Sequence, residues 1–397
     1  MSMTEVDSSR PPDSAEDRPP RVLQVLPRLV SGGVERGTIE VSAALCAAGW
    51  QSFVASAGGK MVYELTRHGA AHVALPLAAK NPLTIARNVG RLAALIERLD
   101  IDLVHVRSRA PAWSAWAAAR RTRRHFVTTF HNAYGAGSRW RRWYNSVMGR
   151  GERVIAISHF VAAHAIATYG LAPERVRVIQ RGVDLGRFDP RRVAPDRLVR
   201  LAAAWRLPDD RPVIMLPGRL TRWKGQLDLV EAIAGLGRTD LCCLLVGSDE
   251  GRPAYRRELE AVIARRGLGG VFHVLGDCDD MPAAFMLADV VVSASRRPEG
   301  FGRVIVEAQA MGRPVIATDH GGARETVRHG ETGWLVAPGA PRALAAALAG
   351  ALALSPAERT ALAGRAMAQA GEFSSARMCA ETLAVYAELL RPDGPPA

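Results

Sequence analysis

Apolar runs of strand length alternate with stretches of helical spacing along almost the whole chain. The runs at 22–26, 52–57, 103–106, 126–130, 154–157 and 176–179 are separated by segments whose apolar residues recur every three or four positions. An arginine-rich stretch follows Asp189-Pro190, and the pattern restarts at 213–216, 241–246, 271–275, 290–293 and 315–318. Strands that alternate with helices predict a parallel sheet covered on both faces. Two such series predict an α/β protein of two Rossmann-like, doubly wound domains facing across a cleft. The expected boundaries are a disordered lead at 1–20, a first domain at 21–190, a second at 191–373, a helix at 374–390 and a tail at 391–397. That helix carries Met378, Leu383, Tyr386, Leu389 and Leu390 at helical spacing and stops before Pro392.

Composition narrows the class without changing the fold. A chain of 397 residues with 48% hydrophobic and 23% charged residues is neither disordered nor collagen-like. Its longest nearly uncharged alanine/leucine stretch, 343–354, falls short of the roughly 20 residues a membrane-spanning helix needs. The polar, proline-containing start lacks the apolar core of a signal peptide. Five cysteines without metal spacing (Cys46, Cys242, Cys243, Cys278, Cys379) read as reduced, buried side chains. The expected location is the cytoplasm.

Charge adds a second feature. The balance of 52 basic against 39 acidic residues gives +13, and only Lys60, Lys80 and Lys224 are lysines. Arginines bunch at Arg120, Arg121, Arg123 and Arg124, then at Arg139, Arg141, Arg142 and Arg150, where Trp140, Trp143, Tyr144 and Met148 interleave. A basic, aromatic helix suits the anionic inner leaflet of a membrane, with arginine on phosphate and tryptophan at headgroup level. A solvated helix face has the same pattern. No RRM, KH or zinc-finger pattern occurs, so nucleic acid is not an expected partner.

In open α/β sheets ligands bind beyond the carboxyl ends of the strands, so the chemistry is sought in the loops that follow them. There is no GxGxxG, P-loop, HExxH or GxSxG, and no carboxylate-rich metal loop. Gly32 and Gly33 follow the first strand and open a helix, which suits close approach to phosphate or sugar, or simply a tight turn. Glu35 falls in the first turn, where the helix dipole favours an acid. His131 ends the run 126–130 and faces the expected cleft. Arg219 and Lys224 lie on the loop after the first strand of the second series and could clamp a diphosphate, Arg219 by its planar fork and Lys224 as a point charge. Glu299 precedes Gly300, Phe301 and Gly302, which open a helix whose second turn carries Glu307. Amides there can hold phosphate, and a carboxylate at 307 can accept from paired ribose hydroxyls. The other Glu-x7-Glu pair, Glu250 and Glu258, has no glycine-opened helix between its members and is not a site candidate.

Together, Gly32-Gly33-x-Glu35, Gly218-Arg219 with Lys224-Gly225, and Glu299-Gly300-Phe301-Gly302 with Glu307 resemble the GT4 family of retaining, nucleotide-sugar-dependent glycosyltransferases with the GT-B fold. The resemblance runs from about Arg21 to Leu390. It implies that Arg219 and Lys224 neutralise the donor diphosphate in place of a metal, that Glu299 contacts donor-sugar hydroxyls and that Glu307 binds ribose. By the same resemblance Gly32, Gly33, Gly300, Phe301 and Gly302 approach the phosphates or sugar, His131 lies beside the transferred sugar, and the base sits against the loop from Gly276 to Met281. Glu35 with Arg139, Arg141, Arg142 and Trp143 falls on the acceptor and membrane side, and the closing helix crosses back to the first domain. No metal and no cofactor is expected. The donor is a substrate, a UDP-sugar first and GDP-mannose second, and the acceptor is a lipid-linked or lipopolysaccharide-core saccharide. Two departures stand out, Arg181 where relatives carry Asn and Arg303 where a small or apolar residue is usual. A nucleotide-sugar epimerase, a sugar phosphorylase and a non-catalytic nucleotide or nucleic-acid binder are the alternatives.

Overall fold

The computed structural model describes residues 18–391 apart from 31, 80, 136 and 252. The expected disordered lead and the tail therefore fall almost wholly outside the described residues. Within the described part of the lead, the Arg18 guanidinium bonds the Asp102 carboxylate of the first domain at 2.6 and 2.9 Å.

The N-terminal sheet is seven-stranded and parallel: β1 (Arg21–Val25), β2 (Gln51–Ser56), β3 (Ala71–Ala74), β4 (Leu103–Val106), β5 (His125–Phe130), β6 (Arg153–Ala156) and β7 (Val176–Val178). Their spatial order is β3-β2-β1-β4-β5-β6-β7. The C-terminal sheet holds β8 (Val213–Pro217), β9 (Cys242–Val246), β10 (Phe272–Val274), β11 (Val290–Ser293), β12 (Val315–Thr318) and β13 (Trp334–Val336), in the order β10-β9-β8-β11-β12-β13. Strands β4, β8, β9 and β12 are buried at every residue, as expected of parallel strands with helices on both faces. In each sheet the strand order reverses beside the first strand, between β1 and β4 and between β8 and β11. Those reversals open the crevices where ligands bind.

The sequence pattern missed β3 and β13. Both are short edge strands whose residues are only half-buried or exposed, so they lack a continuous apolar run. All five cysteines are free thiols.

The chain passes between domains twice, and the two passages pair with each other. Val183 N donates to Phe373 O at 2.8 Å and Ser375 N donates to Val183 O at 2.9 Å. Helix Ser375–Leu390 then packs on the N-terminal domain, where Met378, Val385, Tyr386 and Leu389 join Val22, Val41, Leu45 and Leu103 in one apolar cluster. The Tyr386 hydroxyl meets His105 Nδ1 at 2.5 Å, and His105 Nε2 meets Thr129 Oγ1 at 2.7 Å. Near the end of the helix Glu388 accepts from Arg153 at 2.9 Å and from Arg177 at 3.0 Å.

Those two arginines hold the Glu388 carboxyl below the usual range. A carboxylate depressed in the folded state adds stability that is complete above its unfolded value, about 4.3 for Glu, and is lost as pH falls through the folded value. Glu388→Gln should therefore cost about 1 kcal/mol at neutral pH and nothing once acid has protonated the wild-type group. Urea denaturation of both proteins across acid to neutral pH reads the difference; equal midpoints at pH 7 would dismiss the clamp.

Candidate active site

The loops after β1, β5, β8 and β11 converge because all strands of a parallel sheet end on one edge. After β1 the chain enters helix Gly33–Ala47 through Gly32, whose φ of 123° lies in the region that favours glycine. Any side chain at 32 would also meet Glu35 Oε2 at 2.8 Å, because Glu35 folds back over the turn. Burial raises the Glu35 carboxyl above its ordinary value. After β11, Gly302 has φ 87° and opens helix Arg303–Ala310. Gly300 lies so close to the other domain that a Cβ would sit 2.8 Å from His131 O.

A cavity of about 350 Å³ lies between the two edges. The N-terminal domain contributes Gly33, His131 and Arg181, and the C-terminal domain contributes Arg219, Lys224 and the run 299–303. Lys224 Nζ donates to Glu299 Oε1 at 2.7 Å, and Ser295 Oγ donates to the same oxygen. Burial would raise the Glu299 carboxyl, but Lys224 and Ser295 outweigh it and hold it below the ordinary range. Arg219 pairs with Glu250 at 3.1 Å. Each cation of the expected clamp thus already faces a carboxylate.

Arg181, one of the two departures, is the residue whose importance the sequence hid. It is 7% exposed, donates to Gly33 O and places its other terminal nitrogen 3.2 Å from His131 Nδ1. A guanidinium has donors only, so Nδ1 is the acceptor and the ring proton sits on Nε2. Burial, then the neighbouring Arg181 and Arg107, keeps His131 well below its ordinary pKa and neutral. Burial also lowers Arg181 to about 9, helped by Arg303 and Arg107. His131 Nε2 and Arg181 Nε are buried without a hydrogen-bond partner among the described residues, as are both carboxylate oxygens of Glu40, a residue of helix Gly33–Ala47. Such groups leave bonding capacity that a ligand or water can complete. Nothing in the sequence pattern singled out Glu40, since one acid on an amphipathic helix is ordinary.

Other expectations fare differently. Glu307 does not line the cavity; Arg303 Nε holds its Oε1 at 2.8 Å, and Arg303 also lies 3.9 Å from Glu40 of the opposite domain. Burial raises the Glu307 carboxyl, which Arg303 offsets only in part. Gly32, Glu35, Gly276 and Met281 are not among the lining residues either. Gly276 is exposed beyond the edge strand β10, and Met281 opens helix Met281–Leu287 half-buried against the core. Arg139, Arg141, Arg142 and Trp143 are exposed on helix Arg139–Ser146, with Arg141 lining a neighbouring cavity. Glu250 and Glu258, set aside on sequence grounds, pair with Arg219 and Arg222. No group of three or more His, Cys, Asp or Glu side chains that could hold a metal occurs among the described residues.

The family model "Glycosyltransferase Family 4" matches residues 31–187, and "Glycosyl transferases group 1" matches 200–367. The D-inositol 3-phosphate glycosyltransferase of Xylanimonas cellulosilytica is 33% identical over 72% of this chain and 72% of its own. The chain belongs to the family 4 glycosyltransferases. Among solved structures, a Rickettsia africae glycosyltransferase superposes on this glycosyltransferase with a TM-score of 0.87 and 37% identity, over 94% of this chain and 100% of the other. Anabaena Alr3699/HepE in complex with UDP and glucose gives a TM-score of 0.82 at 26% identity, over 93% and 100%. The two-domain architecture is that of the GT-B fold.

The tautomer of His131 in this glycosyltransferase is directly testable. Nitrogen NMR of the imidazoles should show His131 protonated at Nε2, bare at Nδ1 and neutral well below about pH 6.5. Arg181→Met should raise its pKa and mix the tautomers. A native His131 carrying its proton on Nδ1 would refute the assignment.

Proposed function

We propose that the protein moves a hexose from a nucleoside diphosphate sugar to a lipid-linked or lipopolysaccharide-core saccharide, with retention of configuration and without a metal. The observation that carries this reading is the meeting of Lys224, Arg219 and Glu299 with the glycine-opened helix at 302 in one cavity facing His131. On donor binding, Lys224 and Arg219 exchange their carboxylates for diphosphate oxygens and stabilise the leaving nucleotide. Glu299, released from Lys224, accepts from sugar hydroxyls, and His131 donates from Nε2. The departing phosphate oxygen takes the acceptor proton on the same face, which retains configuration without an enzymic nucleophile. Glu307 reaches the ribose only after Arg303 lets go of it.

The UDP and UDP-glucose complexes of Anabaena HepE support a UDP-sugar donor, with GDP-mannose second. The names of the curated relatives favour a second acceptor reading, a phosphorylated cyclitol. Calorimetric titration with UDP, GDP and ADP in EDTA tests the donor site. One nucleotide should bind, weakened about tenfold or more by Lys224→Ala and also weakened by Glu307→Gln. Binding of none, or binding indifferent to both changes, would overturn the reading and move the phosphorylase and nucleic-acid alternatives ahead.

No helix of the described residues is long and apolar enough to cross a membrane. The surface of the N-terminal domain does carry a cluster of tryptophan rings with Arg150 against it. Trp140 lies edge-on to Trp143, Trp143 stacks on Trp113 at 4.7 Å, and Arg150 lies 5.2 Å from Trp113 and 4.5 Å from Trp116. Trp140 is 78% exposed and Trp143 52%. This surface suits attachment to the cytoplasmic face of a membrane. Sedimentation with phosphatidylglycerol vesicles should lose about tenfold or more in affinity when Arg139, Arg141, Arg142 and Trp143 become Ala, at about 1 kcal/mol per surface arginine. Unchanged sedimentation would remove the membrane from the proposal.

A further inference from the structure

Arg303 stands where both domains and two cavities meet. It opens helix Arg303–Ala310 directly after Gly302 and lines the cavity of about 350 Å³ between the sheet edges. It also lines a second cavity, of about 660 Å³, which runs along helix Gly33–Ala47 and the start of helix Ser375–Leu390. Glu40, Asp184 and Arg187 border that second cavity with it. Arg303 faces two carboxylates among the described residues. Its Nε holds Glu307 Oε1 at 2.8 Å, one turn along its own helix, and its Nη2 lies 3.9 Å from Glu40 Oε1 of the opposite domain. The first is a hydrogen-bonded ion pair; the second stops about 1 Å short of one.

Glu40 is poorly served by its own domain. Both its oxygens are buried without a hydrogen-bond partner among the described residues. The side chains of Arg303 and Glu40 are only 19% and 14% exposed, so little water reaches either. The nearby cations of the N-terminal domain are committed elsewhere. Arg107 Nη1 donates to Gln24 Oε1 at 3.2 Å, and Arg181 donates to Gly33 O and faces His131 Nδ1. Both guanidinium groups press on the helix that carries Glu40, since a Cβ at Gly37 would lie 2.9 Å from Arg181 Nη2 and 3.0 Å from Arg107 Nη2. They set a positive field beside Glu40 without bonding it.

We infer that Arg303 and Glu40 form an interdomain latch set by the nucleotide: when a ribose takes the Glu307 carboxylate, Arg303 turns to Glu40 and draws the two domains together. A guanidinium that has lost its counter-charge in so dry a cleft is unfavourable, and the unmet Glu40 oxygens are the carboxylate it already faces across the seam. The planar fork can pair both of those oxygens, whereas a small or apolar residue at 303 would leave Glu40 unmet in every state. The cavity of about 660 Å³ at the seam gives the movement room. Ribose at Glu307 and closure at Glu40 then favour each other by the same factor. Arg303 and Glu40 act here as positioning residues. This inference rests on the donor reading above, in which Glu307 receives the ribose, and adds how binding there reaches the other domain.

The test compares the full-length wild type, Glu40→Gln, Arg303→Met and the double variant, each titrated calorimetrically with whichever of UDP, GDP and ADP the wild type binds. Glu40→Gln should weaken binding about fivefold or more, although Glu40 lies on the domain opposite Glu307. In the Arg303→Met background the same change should alter affinity less than about twofold, because the partner it acts through is gone. A merely structural role for Glu40 would instead give the same loss in both backgrounds. Small-angle X-ray scattering should show the wild type contract when nucleotide is added and Glu40→Gln contract less. Should Glu40→Gln fail to fold, Glu40→Asp, which keeps the charge on a shorter stem, takes its place in the same comparison with the same expected pattern. Equal affinity with and without the change at 40, an equal loss in both backgrounds, or a wild type that does not contract would overturn the latch. Absence of nucleotide binding in the wild type is the separate result that would overturn the donor reading.

Discussion

A parallel sheet has a direction, and everything functional in this protein depends on it. Each strand ends on the same edge, so each strand-following loop emerges there, and two such sheets set edge to edge place all those loops in one cleft. What holds the edges in register is small. The paired passages at Val183 and Phe373–Ser375, the bond of 2.6 Å from Ser158 Oγ to Gly300 O, and the Glu325 cap on helix His159–Tyr169 are among the polar joints between domains.

The cleft stores unmet bonding capacity. Arg107 and Arg181 are nearly fully buried, and each leaves Nε unpartnered among the described residues. Glu40 and His131 add acceptor and donor atoms in the same condition. Unmet buried polar atoms cost stability, commonly about 1–3 kcal/mol each, so a fold keeps them where a ligand repays that cost. The paired groups are organised differently. Lys224 with Glu299, Arg219 with Glu250 and Arg303 with Glu307 each set a cation against a nearby anion.

The domains divide the chemistry. The C-terminal edge carries Arg219, Lys224 and Glu299, while the N-terminal domain carries His131, Arg181 and the stacked tryptophans. Trp223 lines both the cavity between these edges and its neighbour.

Much of this was legible in the sequence because it depends on local rules. Eleven of the thirteen strands among the described residues follow from apolar runs, and the glycines at 32, 300 and 302 with Lys224 and Glu299 mark strand-end loops. Those signals arise within a few residues of the chain, where periodicity and backbone freedom act. Tertiary structure decided the rest. It brought Arg181 onto His131 from 50 residues away and so set which ring nitrogen holds the proton. It also paired Arg303 with Glu307, drew Glu40 into the cleft, and gathered Arg109, Arg141 and Arg297 around one cavity. A sequence states which charges exist; only the folded chain decides which of them meet, because charge pairing depends on distance in space and the low dielectric of a buried cleft.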